Sequence, residues 1–133
     1  MSEDRSTVAQ AAASLPAEQR SVSVARHVLR DLLERCDIRG EQRRDALLVA
    51  TELVANAVNH GSHSGDEVDV EFSVERRRVR ICVRDRARGR SAPLALTPDE
   101  SRAAGRGLQI VQQLADWSER IVDGRREVRA ELT

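Results

Sequence analysis

The segment ATELVANAVNHG, running to Gly61, places Glu52 and Asn56 four residues apart, with Asn59 close to one turn further on. On a helix, that spacing sets all three along one stripe. A carboxylate and an amide in this register can orient a nucleophile and ligate a divalent cation. A plain solvated helix face would look the same, although Leu48 and Val49 fall within the same arc, which argues that part of the face is covered. Asp85 is the second candidate. It shares strand parity with Val79, Ile81 and Val83, so it points toward the core. A buried carboxylate needs donors. The backbone amides of the following turn would supply them, and so would the amino group of a flat heterocycle such as adenine. The third candidate is the run Gly105, Arg106, Gly107, Leu108. Two glycines ahead of a helix start leave backbone N–H groups and the helix dipole available to an anion, and a loop hinge would use the same glycines. In chain order, these groups supply metal, base and phosphate contacts.

Composition removes several alternatives. All 22 basic residues are arginine, which excludes a Walker A loop, a Schiff base and a lysine general base. At 133 residues, the chain suits one domain. Its formal net charge is zero, so no global positive field points to direct nucleic-acid binding. No apolar run approaches the roughly 18 residues of a membrane span. Cys36 and Cys82 are far apart without metal-ligand spacing and read as small core residues. The opening MSEDRSTVAQ is acidic and polar with no export segment, so a cytoplasmic location is expected. His27 lies within an amphipathic helix, and His60 and His63 flank a glycine turn as helix-end and loop residues.

Residues 1–13 lack periodicity and read as a flexible tail, leaving 14–133 as the single domain. The spacing Ala25, Val28, Leu29, Leu32, Leu33, Cys36 predicts a first helix stopped by Gly40. A second helix follows from Gln42 to His60, with Gly61 as terminator. Val68, Val70, Phe72 and Val74, and then Val79, Ile81 and Val83, alternate with polar residues as an antiparallel hairpin. Its outward acids and arginines pair across strands. The stretch from Arg86 to Ala104 has no period and is long enough to be a functional lid. A short helix through Leu108, Val111 and Leu114 comes next. A second hairpin, Trp117 to Val122 and Glu127 to Leu132, then turns at Asp123–Gly124. The expected class is α+β, with helices on one face of a mixed, mostly antiparallel sheet.

These residues resemble the GHKL ATPases of the Bergerat fold, the family of gyrase and sensor histidine kinases, and within it the anti-sigma-factor branch. ATELVANAVNHG looks like the N box, VRDRARG like a degraded first glycine box, and GRGLQIV like the second. The resemblance extends through SVSVARHVLRDLL and REVRAEL, nearly the whole chain after the tail. It implies a two-layer α/β sandwich that binds ATP and Mg²⁺. Asn56 would be the metal ligand and Glu52 the base that orients the attacking hydroxyl. Asp85 would read the adenine amino group, and Gly89 would close the first box. Gly105, Arg106, Gly107 and Leu108 would lie against the phosphates, under a lid over about 86–104. Ala87 departs from the pattern, standing where the first box usually has its first glycine. The implied activity is a serine/threonine protein kinase acting on a STAS-domain anti-sigma-factor antagonist. The implied partners are that antagonist and a sigma factor, and a homodimer is compatible. Two other readings remain: a catalytically inactive module that sequesters a sigma factor or other partner, and a detached sensor-kinase catalytic domain. The latter is disfavoured by the lack of a dimerisation helix bearing a phospho-accepting histidine.

Overall fold

The computed structural model describes residues 8–88 and 109–133. Most of the expected lid, and the expected contacts Gly89, Gly105, Arg106, Gly107 and Leu108, lie outside the described residues. The described elements follow in the order β1 (Ala9–Pro16), α1 (Arg20–Arg35), α2 (Gly40–His60), β2 (Glu67–Glu75), β3 (Arg78–Asp85), β4 (Asp116–Val122) and β5 (Arg125–Leu132). Residues 109–114 are helical ahead of β4. The strands form one sheet in the order β1-β2-β3-β5-β4, and the helices pack on one side of it. The α+β expectation holds with one correction. Every described pairing is antiparallel, so the sheet is not mixed.

A second correction concerns the amino-terminal end, where residues 9–13 are part of β1 rather than a tail. Ala9, Ala11, Ala13 and Leu15 stand opposite Val74, Phe72, Val70 and Val68 of β2. Alanine has little intrinsic preference for strands. Pairing along the edge of β2 makes this strand, and the local sequence does not signal it. Pro16 closes β1 at the sheet edge, where a missing N–H is tolerated, and its carbonyl accepts a 2.5 Å hydrogen bond from Ser21 Oγ.

Helix α1 buries Ala25, Leu29, Leu32 and Leu33, the face predicted by spacing. It ends before Gly40. Asp37 adopts the left-handed conformation at φ 61°. The Asp37 and Ile38 N–H groups then bond back to the carbonyls of Glu34 and Leu33, the two hydrogen bonds of a Schellman cap. Gly40, at φ 64°, instead opens α2. Between helices and sheet, Leu29, Leu32, Ala50, Leu53 and Val54 meet Val70, Phe72, Ile81, Val83 and Val128 in one core.

The outer face of the sheet is a lattice of charges. Arg78 pairs with Glu131 at 2.8 Å, and Arg84 reaches Glu71 at 3.4 Å. Buried Glu127 accepts hydrogen bonds from Arg84 (2.7 Å), Arg120 (2.7 Å) and Arg129 (3.2 Å). Arg84 and Glu71 thus pair across the first hairpin as expected, whereas Arg78 and Glu127 pair among β3, β4 and β5. Cys36 and Cys82 are both free and half-buried. Cys36 packs against the core, whereas Cys82, paired with Glu71 and Arg129, lies on the outer face, which corrects its reading as a core residue. Burial pushes its thiol up to about 11. A basin of about 640 Å³ crosses this face near Glu71, Cys82, Ser118 and Arg129. Among the described residues, no helix is long and apolar enough to cross a membrane.

Burial alone would raise the Glu127 pKa, but the hydrogen bonds from Arg120 and Arg84 and the charge of Arg129 outweigh it, lowering the value from 4.5 to about 2. A carboxylate with a depressed folded-state pKa contributes stability above its unfolded value and loses it as pH falls toward the folded one. Stability measured by urea unfolding is therefore expected to fall between about pH 4.5 and 2. In Glu127→Gln, that part of the pH dependence should be flatter. An unchanged slope would show that Glu127 does not couple to folding.

Candidate functional site

Helix α2 presents its polar stripe differently from a solvated face. Asn56 is only 8 % exposed and Val49 is fully buried, while Leu48 remains 40 % exposed. Glu52 is half-buried one turn before Asn56. The covered reading of the stripe therefore applies at Val49 and Asn56, not along its whole length. Asn59 is exposed, and its Oδ1 accepts a hydrogen bond from Gln19. No group of three His, Cys, Asp or Glu side chains among the described residues forms a metal cage.

Asp85 closes β3 on the helix side and is 2 % exposed, as strand parity predicts. Its donors come from two directions. Oδ1 accepts a 2.6 Å hydrogen bond from the Ala87 N–H, and Oδ2 accepts from Arg126 Nη2 at 2.9 Å and Nε at 3.2 Å. Arg126 is the cross-strand partner of Asp85 and is 1 % exposed. Its Nε also lies 4.0 Å from Glu119 Oε2. Burial pushes the Asp85 pKa up, and the charge and hydrogen bonds of Arg126 pull against it. Ala87 takes the left-handed region at φ 57°. That conformation favours glycine, which gives the missing first glycine a backbone meaning here.

Gly61, the residue that ends α2, is packed against this pair. A Cβ at that position would lie 2.1 Å from Asp85 Oδ2 and 2.2 Å from Arg126 Nη2. The Gly61 carbonyl accepts a 3.0 Å hydrogen bond from the Arg88 N–H, and the Arg88 guanidinium grips Asp66 through bonds of 3.0 and 3.1 Å. The Arg88 hydrogen bond, helped by the His63 N–H, lowers the Asp66 pKa to about 2. The chain leaving β3 is thereby tied back to the end of α2. Arg126 escaped the sequence reading, which began the last strand at Glu127. The parity of Val128, Ala130 and Leu132 does place position 126 inward. The basin on the outer face lies on the other side of the sheet from Asp85 and plays no part here.

The helical stripe, the inward Asp at a strand end and the antiparallel sheet under two helices together define a nucleotide-binding class. A family model described as the histidine kinase-like ATPase domain matches residues 15–132, so the chain belongs to that family. Family membership implies ATP as ligand. A solved structure, that of the RsbU and RsbW domains of Rv1364c from Mycobacterium tuberculosis, is similar in fold with a TM-score of 0.63. Identity is 21 %, and the match covers 93 % of this chain but 32 % of that one, so this chain spans about a third of its neighbour. Comparison with curated proteins gives no match.

Glu52 and the buried Asn56 lie one turn apart on α2. The carboxylate of Asp85 is engaged by Arg126. Adding a methyl at Gly61 should test how tightly this end is packed. Gly61→Ala is expected to destabilise the fold by about 1–3 kcal/mol in chemical denaturation, the range for overpacking a filled site. A variant as stable as the parent would mean that the Asp85–Arg126 pair yields freely.

Proposed function

We propose that this chain is an anti-sigma regulatory factor that binds Mg-ATP and transfers phosphate to a serine or threonine of a STAS-domain antagonist, while also holding a sigma factor. The observation that carries the reading is the buried Asn56 amide one turn from Glu52 on α2, within a histidine kinase-like ATPase domain. The three boxes of the sequence and the fold likeness to a chain containing an RsbW domain support the branch.

When bound, Mg-ATP supplies the transferable phosphoryl group and the cation that offsets its charge. Asn56 would hold the cation through its amide oxygen. Glu52, a carboxylate with partial access to water, accepts the proton of the attacking hydroxyl and orients its oxygen. Asp85 accepts a hydrogen bond from the base amino group. By the resemblance, Gly105, Arg106, Gly107 and Leu108 would serve the phosphates and Gly89 would close the first box. Phosphoryl transfer needs mainly positioning and charge stabilisation, which a lysine-free set can provide. A reading as a sequestering module without turnover draws on one observation, the occupation of Asp85 by Arg126.

The test is phosphate transfer from labelled Mg-ATP to the antagonist recovered by co-purification from the source cells. Glu52→Ala is expected to keep the fold and nucleotide binding while lowering transfer by about 100-fold or more, the usual scale of general-base loss. Undiminished transfer would discard Glu52 as the base. No saturable binding of Mg-ATP at millimolar concentration would favour the sequestering module.

A further inference from the structure

Arg126 is buried among groups that use only part of it. Nε and Nη2 both serve the same Asp85 oxygen, whereas Nη1 is buried without an acceptor among the described residues. An orphaned donor on a buried cation is costly, so this placement is held by its surroundings more than by its own satisfaction. Asp85 opposite in the ladder, Glu119 at 4.0 Å and the bare Gly61 backbone confine it. The guanidinium therefore stands on the acceptor oxygen of the one inward carboxylate at this end of β3. An amino group that reaches that oxygen would compete with Arg126 for it.

We infer that Arg126 is an internal plug of the nucleotide site, so that base entry at Asp85 and departure of the Arg126 side chain are one coupled event. The inference rests on the assignment of Asp85 as the base reader. The exchange replaces a charged donor on Asp85 by a neutral amino group, which is the weaker hydrogen bond. It also releases the orphaned Nη1 to a hydrated position. The apparent affinity for nucleotide is then the intrinsic affinity reduced by the fraction of molecules in which Arg126 has moved away. Arg126 is thus an affinity-determining residue that touches no phosphate and takes no part in transfer.

Two measurements on the full chain test this. Calorimetric titration with Mg-ATP compares the parent with Arg126→Thr, which is expected to bind at least tenfold more tightly because the plug is gone. Nitrogen-15 spectra of the parent follow the Arg126 Nε–H. It should exchange slowly with solvent in the free protein and lose that protection when Mg-ATP saturates the site. If Arg126→Thr does not fold, the spectra of the parent decide alone. Nucleotide binding by the parent with the Nε–H still protected would overturn the plug and leave ATP binding intact. So would a folded Arg126→Thr with equal or weaker affinity. Absence of Mg-ATP binding by both proteins would overturn the plug together with the ATP assignment.

Discussion

The pairing of a buried carboxylate on β3 with a buried guanidinium on β5 governs one whole end of this molecule. Asp85 and Arg126 face each other across the ladder on the apolar side of the sheet. Each charge is the main compensation for the other, and removing one partner of a buried pair costs stability. Neighbouring features follow from that constraint. Residue 61 has room for no side chain where α2 meets the pair. Ala87 adopts a left-handed backbone and donates its N–H to Asp85. Arg88 then ties the outgoing chain to Asp66 and to the Gly61 carbonyl.

The two faces of the sheet solve the same strand pattern by opposite means. Inside, valine, isoleucine and phenylalanine meet the leucines of the helices. Outside, arginine alone supplies the positive charge, and its planar fork can serve several carboxylate oxygens at once. Glu127 gathers three such forks from three strands. This outer lattice keeps a broad sheet face polar without help from a second layer.

The helices and both hairpins are legible because apolar residues recur along them at the helical or the alternating period. The turns at Arg76–Arg77 and Asp123–Gly124 also fall where the alternation breaks, and all four residues have positive φ. What escaped was set by distant partners. β1 carries alanines with little hydrophobic contrast, so only its register with β2 defines it. The end of α1 was assigned to Gly40, but Asp37 takes the left-handed position and the buried Ile38 fastens the cap. At the site, the inward direction of Asp85 was readable from parity. Its engagement by Arg126 was not, because cross-strand register brings together residues 41 positions apart. The burial of Asn56 was hinted at only by Val49 in the same arc.

The edge position of β1 bears on how the chain acquires its shape. During synthesis, residues 9–16 emerge before both helices, yet the strand they join, β2, begins only at Glu67, after them. Such non-local pairing is entropically slow to form. The alanine-rich stretch must wait beside a growing helical hairpin, and its low apolarity limits the danger of wrong association meanwhile. The feature that hid β1 from view thus also protects the nascent chain.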